Sequence, residues 1–233
     1  RIGSTLLMAG SCSNNNDGSY TITADTKEIK HIRLKRLDSQ ITFNFSAGTG
    51  SKFTALEWHC VNAPASSMLL EKSANPSATT YGNWDASNNA DDFYTNYESK
   101  KYITNNTFTF FMPENRKVAK NNISNYNDRE RETTENKLNH VPGTPRTYIN
   151  APDNATYVVV HGTFEGKANN EDVSADVTYV IHLGYLNNNA NDFFSNRNTK
   201  YTYNVKVVGV ESIIVEVEQD QETVPGATGE VIY

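Results

Sequence analysis

Five histidines, His31, His59, His140, His161 and His182, are the residues best suited to acid–base or metal chemistry near neutral pH. No two stand four apart as on one helical face, so a zinc site would have to be gathered from separate strands. His161 and His182 fall in neighbouring expected strands and read as a cross-strand polar pair. Glu114, Asp128 and Glu130 could be imagined as the carboxylates of glycoside cleavage. They lie in or beside a charge-rich segment that includes Asn127-Asp128-Arg129-Glu130-Arg131-Glu132, and they read as a solvated face. Ser13 to Gly18 begins like a calcium loop, yet Ala24 stands where the twelfth position needs a carboxylate. Gly48-Thr49-Gly50-Ser51-Lys52 lacks the spacing of a phosphate loop, and there is no Gly-x-Ser-x-Gly elbow. The sequence therefore assigns no catalytic residue, no metal ligand and no cofactor. Trp84, Tyr94 and Tyr97 could stack on sugar rings in a surface groove; packing of an ordered insertion against the body of the fold is the simpler reading.

Cys12 and Cys60 permit one disulfide or two separate thiols. Leu6-Leu7-Met8-Ala9-Gly10-Ser11-Cys12 has the shape of the end of a lipoprotein signal, in which Cys12 would be lipidated. An ordinary strand from Ser4 to Ala9 is the competing reading. The net charge of −6 and the lack of a long basic run argue against a nucleic-acid partner, which needs concentrated positive charge. No apolar run approaches the roughly 18–20 residues that a membrane-spanning helix requires.

The elements that would position any site are strands. From Val173 to Tyr185 every second residue is apolar (Val173, Ala175, Val177, Tyr179, Ile181, Leu183, Tyr185), giving one buried and one wetter face. Ala155 to Phe164 carries Tyr157 and Val159 on one face, and Val158, Val160 and Phe164 on the other. That pattern suits a central strand covered on both sides. A third run reads Tyr201, Tyr203, Val205, Val207, then Ile213, Val215, Val217, and the Asn-rich stretch Asn187 to Arg197 before it reads as an exposed loop. Upstream, apolar parity changes between Leu34 and Leu37, which predicts a β-bulge near Lys35 to Leu37. Phe53 to Asn62 is a strand with Leu56 and Trp58 pointing one way, and Thr107 to Met112 is a buried strand stopped by Pro113. A short helix is expected around Ala90 to Tyr97, and an irregular or helical crossover from Asn115 to Val141. The whole is an all-β chain, expected as an antiparallel Greek-key β-sandwich with long loop insertions. Residues 1–28 read as an N-terminal strand segment, 29–218 as the sandwich and 219–233 as an extension.

Several stretches together resemble the fimbrillin-type surface proteins of gut and oral Bacteroidales, the type V pilins and their relatives. They include Ile32-Arg33-Leu34-Lys35-Arg36-Leu37 running into Ile41-Thr42-Phe43-Asn44-Phe45, and Phe110-Phe111-Met112-Pro113-Glu114-Asn115-Arg116. Strongest are Val177 to Tyr185, Asp192-Phe193 and Arg197-Asn198-Thr199-Lys200-Tyr201-Thr202-Tyr203. The resemblance implies a pilin-like sandwich, exported as a lipoprotein and placed on the outer surface, non-enzymatic and more accessory or tip-proximal than stalk. Its partners would be other fimbrial subunits, and a host or bacterial surface glycan or protein. In that family an Arg-specific protease removes the N-terminal strand and a strand of another subunit replaces it. Arg1 is then a candidate processing position, and Val231 and Tyr233, on one face of a short β-prone stretch, a candidate donor strand. The principal alternative is a carbohydrate-binding adhesin or surface lipoprotein that does not polymerise.

Overall fold

The structure, a computed structural model, describes residues 8–9, 23, 34–65, 67, 93–94, 101–139, 141, 144, 146–168 and 171–221. Its strands are β1 (Met8–Ala9), β2 (Lys35–Arg36), β3 (Asp38–Ala47), β4 (Lys52–Val61), β5 (Ala63–Pro64), β6 (Phe93–Tyr94), β7 (Lys101–Tyr102), β8 (Thr107–Pro113) and β9 (Asn115–Val118). Two short helices follow, α1 (Tyr126–Arg129) and α2 (Thr134–Asn139). The chain then makes β10 (Tyr157–Ala168), β11 (Glu171–His182), β12 (Asp192–Ser195), β13 (Thr199–Gly209) and β14 (Ser212–Gln221). Two four-stranded sheets, ordered β11-β10-β4-β7 and β14-β13-β3-β8, make an all-β sandwich. Within these sheets β3 and β13 run parallel, and the other neighbours are antiparallel.

The sandwich forms because alternation gives each sheet one apolar face. Ile41, Phe43 and Phe45 of β3, Phe108 and Phe110 of β8, and Tyr201, Tyr203, Val205 and Val207 of β13 meet Phe53, Trp58, Val158, Val160, Tyr179 and Ile181 of the other sheet. Trp58 stacks on Phe108 across the layers at 4.3 Å, and Phe43 stacks on Tyr203 within one sheet at 4.6 Å. β10 lies between β11 and β4, with both faces covered. Val158, Val160 and Phe164 enter the inter-sheet core, while Tyr157 and Val159 join a second cluster with Val61, Ile123, Tyr148 and Phe193 on the outer side.

The structure revises several local expectations. The parity change before β3 is not a bulge: Lys35–Arg36 pairs with Met8–Ala9 in a separate ribbon, and Leu37 is the bend where the chain enters the main sheet. The bulge lies in β4 instead, where Leu56 is the extra residue between the pairs Glu57–His161 and Ala55–Gly162. The extra residue reverses parity, so Leu56 is exposed although Trp58 is buried. The freed Leu56 carbonyl accepts from the Ile103 amide at 2.9 Å. The third run is a hairpin, because the turn after Gly209 returns the chain and keeps Val207 opposite Ile213. β14 also continues to Gln221, past the point where the apolar alternation fades; an edge strand needs less of it. Phe93–Tyr94 pairs as a strand with Ala63–Pro64 where a helix was expected.

Asn187 to Arg197 is exposed only in part. Asn187, Asn188 and Asn189 are exposed, with Asn187 and Asn188 at positive φ, but Asp192–Ser195 forms β12 against β9 and is largely buried. The fold of this loop depends on Gly184, at φ +97°, where a Cβ would lie 2.2 Å from the Asp192 carbonyl oxygen.

Candidate functional site

The densest chemistry among the described residues lies under the crossover between β9 and β10, in the run that reads as solvated in sequence. Asn125 caps the single turn of α1, its side chain accepting from the Asp128 amide at 2.9 Å and donating to the Asp128 carboxylate at 2.7 Å. That cap keeps Asp128 partly exposed and turns Arg129 inward, where it is fully buried. The Arg129 guanidinium donates to the carbonyls of Ala190 (3.1 Å), Asp192 (2.5 Å), His182 (3.3 Å) and Leu183. Its carbon lies 3.8 Å from the centre of the Phe193 ring, a cation–π contact in a desolvated setting. One side chain thus fastens the end of β11 to the start of β12.

Glu130, the next residue, holds the same strand end from the other side. Its carboxylate accepts from the His182 amide at 3.0 Å and meets the His182 Nδ1 at 2.5 Å. Burial works to raise this carboxyl, but the charge and hydrogen bonds of His182 and the charge of Arg129 outweigh it, and the group sits below its ordinary value. The His182 ring is walled by Tyr148, Phe193 and Tyr157 at 4.4, 5.5 and 5.1 Å. Burial pushes the Tyr148 hydroxyl upward, and the Asp192 carboxyl is raised by the same cause despite bonds from the Phe194 and Leu186 amides.

A second buried pair closes the far end of β12. Arg197 donates to Glu114 from Nε (2.9 Å) and Nη2 (2.5 Å), and both side chains are nearly inaccessible. Beside it, Asn115 donates to the Asn154 carbonyl and the Thr156 hydroxyl, and Ser39 and Ser195 share a hydrogen bond of 2.6 Å. Buried ion pairs recover their desolvation cost only when further hydrogen bonds satisfy both partners, and removing one partner strands the other.

A carboxylate against an imidazole can serve as a catalytic dyad. Here Nδ1 faces Glu130, aromatic rings enclose the ring, and His182 is 1% exposed, so no substrate reaches it. The arrangement works as a lock between strands. Glu114 and Glu130 are therefore structural ions and not parts of a solvated face; Asp128 remains partly exposed. His161 and His182 do not meet: His161 stands opposite Thr178 and shares a 2.8 Å hydrogen bond with it, whereas His182 stands opposite Tyr157. Sequence reasoning missed this lock because a run of alternating charges looks the same whether it faces water or each other. Its cue is the set of aromatics, Tyr126, Tyr148 and Tyr157, that bracket the charged run.

Arg1, Trp84, Tyr97, Val231, Tyr233 and Cys12 lie outside the described residues. Tyr94 is placed by its backbone, opposite Ala63 in the β5–β6 ribbon. Cys60 is a buried free thiol, pushed up to about 12 by desolvation. Among the described residues no group of three or more His, Cys, Asp or Glu is placed to hold a metal ion, and no helix is long and apolar enough to cross a membrane.

Residues 110–205 match a domain of unknown function, DUF4906. No curated protein sequence matches the chain. Among solved structures it is similar to the tip fimbrial protein Mfa3 from Porphyromonas gingivalis, with 14% identity over 81% of this chain and 52% of that one, at a TM-score of 0.35. A proposed cell adhesion protein from Parabacteroides distasonis shares 16% identity over 82% of this chain and 60% of that one, at 0.48. A proposed cell adhesion protein from Bacteroides eggerthii shares 13% over 82% and 57%, at 0.37. The chain thus spans between 52% and 60% of the length of these three proteins. Over residues 110–205 the chain is similar to the DUF4906 domain, and that segment contains Glu114, Arg129, Glu130, His182, Asp192 and Arg197, the residues that lock its strands together.

Proposed function

We propose that the chain is a non-enzymatic subunit of a surface fimbria, accessory or tip-proximal, that joins its neighbours by β-strand addition and contributes to adhesion. One observation carries the reading. The motifs that resemble fimbrillin-type surface proteins, Phe110 to Arg116, Val177 to Tyr185 and Arg197 to Tyr203, supply strand-fastening residues and no pocket chemistry. Function would then reside in surfaces and edges. Residues 29–218 act as the sandwich body, other fimbrial subunits are the partners, and the cell surface is the site of action, with lipidation at Cys12 as the route to the outer membrane.

Strand addition suits such a body because the incoming segment satisfies a row of backbone groups and fills alternate side-chain pockets. Burying four or five large apolar side chains contributes about 1.5–3 kcal/mol each. Ordering the segment costs about 1–2 kcal/mol per residue, so only a well-fitted strand makes a durable joint. The test is mass mapping of the termini of the exported protein, with sedimentation of the chain with and without residues 222–233. A trimmed N-terminus and assembly lost on the deletion are expected. An intact lipidated N-terminus on a monomer indifferent to the deletion contradicts the reading.

A further inference from the structure

We propose that the outer edge of β11, from Asp172 to Val180, is a docking edge for an extended basic segment of a partner protein. β11 is the end strand of its sheet, and among the described residues no strand pairs with its outer side. Which backbone groups face out follows from the strand's end: the Leu183 amide turns inward to the Thr156 carbonyl, while the His182 amide turns outward to Glu130. Alternation then aims the N–H and C=O groups of Asp172, Ser174, Asp176, Thr178 and Val180 away from β10. Glu130 and Arg129, holding the His182 amide and carbonyl, occupy the place of a partner strand at this end and stop the edge there.

The other end is open. There Asp172, Val173 and Ser174 form one wall of a cleft of about 600 Å³, completed by the Gly50-Ser51-Lys52 turn and Glu165-Gly166-Lys167. Ala175 of β11 and Ile213 and Val217 of β14 are only partly covered where they pack on the core, so small apolar residues on the inward face of the segment would finish their burial. Charge selects the other face. Glu171 and Asp176 lie exposed on β11, as does Asp172, whose carboxylate stands 3.6 Å from the Lys167 ammonium. Unlike an apolar edge, this one repels acidic strands, a second copy of β11 included, and admits a segment with Lys or Arg at every second position.

The inference rests on the strand-addition reading but separates from it by experiment. The full chain is titrated with the capped octapeptide of four Val-Lys repeats, and with four Val-Glu repeats as the control. Binding of the basic peptide is expected to slow amide exchange at Ser174, Asp176 and Thr178 by at least about tenfold and to weaken with salt. Asp172→Lys with Asp176→Lys, both at exposed positions, is expected to weaken it by at least about tenfold. Ser174→Pro removes an outward N–H without costing a ladder bond and is expected to weaken it with the charges intact. No protection at these amides, equal binding of the acidic peptide, or full affinity in the charge-reversed chain overturns the proposal. A chain that self-assembles yet ignores the peptide refutes this edge alone; one that binds the peptide but never assembles refutes the fimbrial reading alone.

Discussion

Arg129 shows how much one side chain can hold when it is buried among carbonyls. Replacing it with Met leaves the carbonyls of Ala190, Asp192, His182 and Leu183 without their donor. The expected loss is about 3–5 kcal/mol in urea unfolding, since removing one member of a buried charged network strands its partners. Lys is expected to recover little, because an ammonium cannot span four acceptors with a planar fork. An unfolding midpoint unchanged in Arg129→Met would show that the clamp is idle. Glu114 and Arg197 make a second test. Glu114→Gln is expected to cost about 3–5 kcal/mol, and Glu114→Leu with Arg197→Met to cost less than the sum of the single changes. Additive losses in that double-mutant cycle would contradict a coupled pair.

Glu130 adds a pH dependence whose sign is fixed by its environment. Its carboxyl is depressed in the folded chain below its ordinary value of 4.5, through His182 and Arg129 overcoming burial. The stability it contributes is therefore present above that ordinary value and disappears as pH falls through the lower folded value. Glu130→Gln is expected to flatten the acid limb of the stability curve below about pH 4.5. An acid limb as steep as in the parent chain would assign the acid sensitivity to other groups.

At the scale of elements, strands were legible where alternation is strict. The alternation from Val173 led directly to a strand with one buried face, which ends at His182 and not at Tyr185, and the two-faced pattern of Tyr157 to Phe164 to a doubly covered central one, because burial and parity are the same statement in a sheet. Less legible were features set by partners distant in sequence. The β4 bulge depends on pairing with His161 and Gly162, and nothing in Leu56 or Trp58 announces it. β12 stayed hidden inside an Asn-rich stretch because Phe193 is flanked by buried polar residues, Asp192 and Ser195, which are met by the Leu186 and Phe194 amides and by the Ser39 hydroxyl. Gly184 is the hinge of that arrangement. Gly184→Ala is expected to destabilise the chain by more than about 1 kcal/mol, since it adds a strained left-handed residue to a collision with the Asp192 backbone. A melting temperature equal to the parent's would mean that the β11–β12 loop relaxes freely.

The chain is acidic, and its described residues form a β-sandwich with one apolar core between the sheets and a second cluster on the outer side of β10. Its buried ion pairs, Glu130 with His182 and Glu114 with Arg197, hold strands to the crossover and to one another. The candidate site was legible only as residue types: Glu114, Glu130 and His182 were all noticed, but their chemistry depends on which side of the sheet the crossover lies. The most direct measurement of the central claim is mass spectrometry of filaments sheared from the surface of the source cells. The account predicts peptides of this chain in the filament fraction, below the abundance of the repeating subunit and lost with the filaments when assembly is blocked. The chain confined to the soluble cell extract, or released as a free monomer while filaments remain intact and lack it, would contradict it.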